Sequence, residues 1–379
     1  MNKNPFIFGD YCEGEQFADR QREQQELKVL LRSGQNVLLQ SPRRYGKTSL
    51  IKKILKDLEK EGVICIYADL YKATTIERLV SILSKAYTLG ISRRIKDVAK
   101  TIRQYLPSIR PKIILDSERP LEFELDFGLQ RRGYEEILEE LYKIPQKIAM
   151  QRLKNVVVVF DEFQEIANVD SDLIERGLRT EIQAHHNVSY VFVGSKRHLL
   201  AQIFTHKGRP LYNSAKIYTL GKIPKEDFCQ FIIERFASAN MKISRRDALS
   251  LLEITDGHPY YTQLLASELY LCSLGEEKVK GTHLKSAQEN LIRHNSDAYT
   301  NIWEGLTIKQ KNVLIGLAES ERIRPFAEEF RERFSLGSPS SIQSAIAGLD
   351  KKEIIERNGE GFYTISDIFF KEWIRTKMV

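Results

Sequence analysis

Val37-Leu38-Leu39-Gln40-Ser41-Pro42-Arg43-Arg44-Tyr45-Gly46-Lys47-Thr48-Ser49-Leu50 is the stretch on which the fold turns. A short apolar run ends in a tight loop, and the loop ends in Gly-Lys-Thr-Ser at the start of an amphipathic helix. This is the layout of a P-loop. Backbone N–H groups of the loop, which with the start of the helix runs over Ser41, Pro42, Arg43, Arg44, Tyr45, Gly46, Lys47, Thr48 and Ser49 (Pro42 itself has none), are set to face phosphate oxygens, where the helix dipole also favours negative charge. Gly46 lets the backbone pass close to a phosphate. Lys47 supplies a mobile point charge, and the Thr48 hydroxyl suits Mg²⁺, an octahedral ion that prefers oxygen ligands. The pattern G-x-x-x-x-G-K-[ST] asks for glycine at its first position, and this chain has Ser41. Serine adopts a positive φ less readily than glycine, so the loop is expected to open with a different turn. The bland alternative is a chance Gly-Lys-Thr opening an ordinary helix.

A second stretch supports the first. Asn155-Val156-Val157-Val158-Val159-Phe160 is followed by Asp161-Glu162-Phe163-Gln164-Glu165. A fully apolar run reads as a central parallel strand covered on both faces. Carboxylates at its C-terminal end sit where open α/β sheets bind ligands. Asp161 would hold Mg²⁺ through water, and Glu162 would polarise an attacking water. Downstream, Val188–Val193 is a further strand, expected between the P-loop strand and the Asp161 strand. It ends in Gly194-Ser195-Lys196, where Ser195 could reach a γ-phosphate or cap the next helix. Arg209, in the turn Gly208-Arg209-Pro210, is placed either to swing toward a phosphate or as an exposed surface arginine.

The chain has 379 residues, enough for two or three domains. Its 42% hydrophobic and 29% charged residues are an ordinary globular balance. No apolar run approaches membrane-spanning length, and no leader pattern opens the chain, so a soluble, cytoplasmic protein is expected. Cys12, Cys65, Cys229 and Cys272 are widely separated and form no C-x-x-C, which suggests neither zinc nor a disulfide framework. The formal net charge of +7 permits an anionic partner without demanding one.

Ahead of the P-loop, Asp19 is a plausible N-cap for a helix over Gln21–Arg32. The pattern Phe17-x-x-Arg20-x-x-Glu23 is also of a kind that folds over an adenine; either reading fits. Helices are expected from Thr48 to about Glu61 and over Ile76–Leu89, with a strand at Val63–Leu70. Asp69 at that strand's end could face the phosphate site or cap the next helix. Residues 93–112 carry a basic segment. Ile113–Asp116 and Leu121–Asp126 alternate like a small hairpin, and a helix runs from about Tyr134 to Gln151. Ala215–Leu220 is the last strand of the sheet. From Pro224 the composition is helical, and Gly257-His258-Pro259 breaks one helix and starts another. That break can present His258 and Pro259 to a base, although a plain helical turn would look the same. Thr307–Glu319, Pro325–Phe334 and Ser340–Asp350, then a hairpin of Lys352–Glu356 with Phe362–Ile365, give the order of a winged helix. Its third helix exposes Ser340, Ser341, Gln343 and Ser344, polar but poor in the arginines that read bases.

S-P-R-R-Y-G-K-T-S-L, V-V-V-V-F-D-E-F-Q, F-V-G-S-K, G-R-P-L-Y, D-G-H-P-Y-Y and F-Y-T-I-S-D-I-F-F-K-E-W-I occur in this order. Together they resemble the archaeal-type ATPases of the STAND branch of AAA+-like P-loop NTPases, relatives of the origin-recognition ATPases, over nearly the whole chain. The resemblance implies a parallel sheet of order 5-1-4-3-2 in a P-loop domain over residues 1–222, with an insertion at about 72–154. It further implies a helical lid over 223–300 and a winged helix over 301–379. It implies ATP with Mg²⁺ as ligands. Lys47 and Thr48 would bind phosphate and metal, Asp161 and Glu162 metal and water. Ser195 would sit at a sensor position and Arg209 at an arginine-finger-like position. Arg20, with Gly257-His258-Pro259, would lie by the base. The activity implied is a slow ATPase acting as a switch that signals to an unknown partner, DNA or protein, with homo-oligomers permitted. The second hypothesis is an ATP-regulated DNA-binding protein that uses the winged helix and the basic insertion.

Overall fold

The computed structural model describes residues 4–9, 18, 20–92, 101, 104–105, 110–114, 122–126, 132–319, 326–357 and 361–378. The chain divides into two compact units, one of residues 13–221 and one of residues 1–12 with 222–379. Among the described residues no helix is long and apolar enough to cross a membrane.

The 13–221 unit is built on five parallel strands. These are β1 (Val37–Gln40), β2 (Ile64–Asp69), β5 (Val156–Asp161), β6 (Val188–Gly194) and β7 (Lys216–Thr219). Their spatial order is β2-β5-β6-β1-β7, the expected 5-1-4-3-2 seen from the other edge. β5 and β6 are buried along their whole lengths, as continuous apolar runs must be when both sheet faces are covered. Alternation assigns the faces. Leu38, Ile66, Val158 and Phe192 enter one core. Val37, Leu39, Val157, Val159, Val191 and Val193 enter the other, beneath the Gln21–Arg32 and Lys47–Lys60 helices. The first core is rich in rings: Phe192 lies 4.6 Å from Phe163, 4.9 Å from Phe204 and 5.9 Å from Phe160.

Between β2 and β5 the structure has the Ile76–Ile91 helix, an antiparallel pair β3 (Arg110–Ile114) and β4 (Glu122–Asp126), and the Arg132–Arg152 helix. The hairpin pairs Arg110 with Asp126, so its first strand begins earlier than the alternation suggested. The expected turn at Ser117-Glu118-Arg119-Pro120 and residues 93–100 of the basic segment lie outside the described residues. Two capping expectations change. Thr75, not Asp69, caps the Ile76–Ile91 helix, accepting from the Arg78 N–H. Asp69 instead accepts from the N–H of Tyr71, two residues on, the local bond that short acidic side chains make in turns. Arg20, with φ 45°, occupies the N-cap position of the first helix without a side-chain cap; Asp19 lies outside the described residues.

The second unit is helical and then winged. Residues 4–9 group with it, although the domain 1–222 of the sequence reading includes them. Phe6 is buried with its ring 4.9 Å from Phe236, and Asn4 Nδ2 donates to Ser267 Oγ at 2.9 Å. Helices Lys225–Ser238, Arg245–Ile254, Pro259–Cys272, Gly281–His294 and Ser296–Glu304 come first. The winged part comprises Ile308–Glu319, Glu328–Arg333, Pro339–Lys351 and the pair β8 (Ile355–Arg357) and β9 (Tyr363–Ile365). Residues 358–360 of the hairpin tip are outside the description. A closing helix, Ile368–Lys377, had no counterpart in the sequence reading. Asp367 caps it by accepting from the N–H groups of Phe369 and Phe370, and Trp373 is 2% exposed.

Phe192 holds the first core together, so Phe192→Ala is expected to destabilise the P-loop unit by about 3–5 kcal/mol, the usual effect of emptying a buried aromatic site. Urea unfolding would measure it.

Candidate functional site

Parallel register brings the loops after β1, β5 and β6 to one edge. Gln40 pairs with Gly194 and Phe160 with Phe192, with β6 lying between the other two strands. The P-loop therefore starts beside the point where Asp161, Glu162 and Ser195 leave the sheet. Within the loop, positive φ falls at Arg44 (62°) and Gly46 (83°), not at Ser41. Serine at the first position thus requires no left-handed backbone, and its departure from the pattern costs little. Gly46 at φ 83° begins the helix in a conformation that favours glycine.

Lys47 is 6% exposed. Its Nζ donates to the carbonyls of Ser41 (3.0 Å) and Pro42 (2.9 Å) and to Ser41 Oγ (3.2 Å). Burial lowers its pKa to about 8; the Glu162 and Asp161 charges oppose that shift, and the Arg43 and Arg197 guanidinia add to it. Asp161 is equally buried, at 3% exposure. Thr48 Oγ1 donates to Asp161 Oδ2 at 2.9 Å, and so does the Tyr67 hydroxyl at 2.6 Å. The backbone N–H of Glu162 donates to Asp161 Oδ1 at 2.9 Å. Burial and the Asp161 charge push the Tyr67 phenol up, so it stays a donor.

Glu162 turns out of the strand with φ 51°. Its Oε2 accepts from Gln164 Nε2 at 2.5 Å and from Ser195 Oγ at 3.4 Å. Ser195 therefore contacts the carboxylate, while the following helix, Arg197–Thr205, has Lys196 at its N-cap position with no side-chain cap. A Cβ at Gly194 would stand 2.1 Å from Gln164 Oε1 and 2.9 Å from Leu200 Cδ1, so a side chain here would displace Gln164 from its present place.

The remaining candidates divide. Arg20 is 3% exposed, and its guanidinium donates to the carbonyls of Tyr45 (3.1 Å) and Gly221 (2.9 Å) and to Glu23 Oε1 (3.0 Å). It is neither a capped surface residue nor free to swing; it ties the P-loop backbone to the end of the unit. Arg209 is held by the fully buried Glu175 and donates to Ser171 Oγ at 3.0 Å. It borders an open cleft of about 410 Å³ that Arg176, Arg179 and Lys207 also line. Burial raises the Glu175 carboxyl and the Arg209 charge opposes the shift. His258 and Pro259 belong to the other unit, at the start of the Pro259–Cys272 helix, with the His258 ring 4.7 Å from Tyr261. On the winged part Ser340, Gln343 and Ser344 are exposed, as expected, and Ser341 is half-buried. Lys352 is engaged, donating to the Gly305 carbonyl at 2.8 Å.

Sequence reasoning missed Tyr67, Gln164, Arg197 and Glu175. Tyr67 lies two residues before Asp69 on β2, a polar hydroxyl in an otherwise apolar strand, and that was the available signal. Glu175 is an acid on the buried face of an amphipathic helix, a position acids seldom take without a partner. The donor set fits a hard cation and a polyphosphate. Thr48 and Asp161 offer oxygen alone, and the lysine sits at the mouth of a loop of backbone N–H groups. Among the described residues no group of three or more His, Cys, Asp or Glu could hold a metal.

Residues 17–265 match the model of an ATPase domain predominantly from Archaea, and residues 297–376 that of a probable winged helix domain. No curated protein matches the chain. Among solved structures, the Walker-type ATPase of Pyrococcus abyssi is 19% identical with a TM-score of 0.66, over 98% of this chain and 99% of that one. The Aeropyrum pernix ORC2 protein in its ADPNP-ADP complexes is 16% identical with a TM-score of 0.55, over 100% and 98%. At these identities the likeness is one of fold.

Two outcomes follow from the buried charges. Lys47 titrates near 8 in the folded chain against an ordinary 10.5. Between those values the folded chain binds fewer protons than the unfolded one, so this group makes stability rise with pH. Lys47→Met removes an ammonium whose burial costs stability below pH 8. The variant's advantage over the parent should be largest at pH 7 and shrink as pH climbs toward about 10.5; urea midpoints across that range check it. Arg209→Ala leaves the Glu175 carboxylate buried without its guanidinium, and is expected to cost about 3 kcal/mol. Adding Glu175→Gln should recover most of that loss in the same unfolding assay.

Proposed function

The chain belongs to the family of ATPase domains found predominantly in Archaea, and on that premise we propose that it is a Mg²⁺-dependent, ATP-hydrolysing switch that signals to a partner. The observation that carries the reading is the 2.9 Å hydrogen bond from Thr48 Oγ1 to Asp161 Oδ2, which joins the P-loop to the acidic strand end.

Each residue then has a task. The N–H groups of Arg43 to Ser49 cradle the phosphates, and Lys47 exchanges its hold on the Ser41 and Pro42 carbonyls for the β- and γ-phosphate oxygens. Thr48 and Asp161 would hold the metal through their oxygens. When bound, Mg²⁺ would neutralise charge on the β- and γ-phosphates as the terminal bond breaks. Glu162 orients and polarises the attacking water, with Gln164 and Ser195 fixing where its Oε2 points. In such transfer the protein's contribution is chiefly positioning and charge stabilisation. Arg20 holds the Tyr45 carbonyl and so the loop's shape. Arg209, once released from Glu175, would supply a cation to the γ-phosphate. The 301–379 winged helix would carry the output to the partner.

Nucleotide binding and steady-state phosphate release test this together. Lys47→Ala should lose ATP binding by at least about a hundredfold, roughly 3 kcal/mol. Glu162→Gln should keep binding within a few-fold and lose about 100-fold or more in turnover, as general-base removal does. Normal binding and hydrolysis by Lys47→Ala would end the proposal, and equal loss of binding and turnover in Glu162→Gln would contradict the role of that carboxylate.

A further inference from the structure

Tyr67 has no role in the reading above, yet it makes the shorter of the two hydroxyl contacts to Asp161. We infer that Tyr67 is a positioning residue for the metal site, its hydroxyl fixing which lone pair of Asp161 remains for a water on Mg²⁺. The inference rests on Asp161 serving the metal, as proposed above.

The placement follows from strand register. On β2, Tyr67 pairs with Val159 and Asp69 with Asp161. Tyr67 and Asp161 are therefore diagonal neighbours across two parallel strands, and alternation puts them on the same sheet face. Diagonal positions are about 7–8 Å apart at the backbone, a gap that a long aromatic side chain spans. The Tyr67 ring packs on the core that holds Leu39, Leu50 and Val159. Lys52 Nζ lies 5.4 Å from its centroid. Lys52 is one helical turn beyond Thr48, so the helix that carries the metal-binding hydroxyl also flanks the ring. The phenol oxygen is thereby delivered to Asp161 Oδ2 at 2.6 Å.

Lone-pair accounting gives the consequence. An ionised carboxylate has about four acceptor sites. Oδ1 receives the Glu162 N–H, and Oδ2 receives both Thr48 Oγ1 and Tyr67. One site is left, and its direction is set by the other three. Because Thr48 spends its hydrogen on Asp161, its oxygen lone pairs remain for the metal. Without the phenol, Oδ2 gains a spare acceptor site and the carboxylate loses one of the two hydroxyls that lock its rotation. Removing a partner that orients a metal-serving ligand typically lowers metal affinity by about 10–100-fold.

The experiment measures the Mg²⁺ concentration for half-maximal binding of a fluorescent ATP analogue, in parent, Tyr67→Phe and Asp161→Asn. Affinity for the same analogue in EDTA and the thermal midpoint are measured alongside. Tyr67→Phe keeps the ring and its packing. It is expected to raise the Mg²⁺ requirement about tenfold while leaving the EDTA affinity and the midpoint within error of the parent. A Mg²⁺ requirement within twofold of the parent, when Asp161→Asn raises it strongly, would overturn the role of Tyr67 and leave the metal site standing. An equal loss of affinity in EDTA would also overturn it, since that would make the phenol part of general loop packing. If Asp161→Asn itself leaves the Mg²⁺ requirement unchanged, the metal assignment falls and this inference with it.

Discussion

A carboxylate at 3% exposure is stripped of water and must have its oxygens hydrogen-bonded by the protein. Asp161 meets that requirement with donors from three segments: the helix after the P-loop, strand β2 and its own chain at Glu162. Satisfying one buried charge therefore locks together the elements that would grip a triphosphate. Displacing the Glu162 N–H would leave Oδ1 unpaired, at about 1–3 kcal/mol, whereas Oδ2 keeps one hydroxyl donor when the other is lost. The site is in this sense a condition of the fold's stability as well as of its chemistry.

Lys47 presents the complementary problem. Its ammonium is buried among the Ser41 and Pro42 carbonyls and kept charged at neutral pH by the Asp161 and Glu162 carboxylates against the cost of desolvation. A phosphate group offers the same lysine stronger, charged acceptors. The loop carbonyls thus act as placeholders that a ligand can outcompete. Arg209 shows the same pattern with a harder partner, the buried Glu175. Extracting it requires a competing anion of comparable strength, since the abandoned carboxylate would remain buried.

Much of this was legible in the residues. Valine runs at 156–159 demanded a strand covered on both faces, and parallel strands must end their ligand-binding loops on one edge. Gly46-Lys47-Thr48 and Asp161-Glu162 could then be placed together without coordinates. Contacts between side chains far apart in sequence were not legible. Nothing local to Tyr67 says that β2 lies beside β5 in a register that aims its hydroxyl at Asp161. Arg20 looked like an adenine-side or surface residue because its partners, Tyr45 and Gly221, are backbone carbonyls, which carry no sequence signature. Asp69 reads equally as facing the phosphate site or as capping the next helix, because its strand-end position resembles that of Asp161. Its side chain is instead used by the turn that follows. The closing Ile368–Lys377 helix was missed although Asp367 is a plain N-cap, because a hairpin seemed to complete the winged helix.

The account's central claim is that one metal and one triphosphate are held where β1 and β5 end. A crystal structure with Mg²⁺ and a non-hydrolysable ATP analogue tests it most directly. The metal should lie about 2.1 Å from Thr48 Oγ1, with Asp161 accepting from a metal-bound water and Lys47 Nζ moved onto the β- and γ-phosphates. A nucleotide bound away from the 41–49 loop, or a metal that does not touch Thr48, would contradict it.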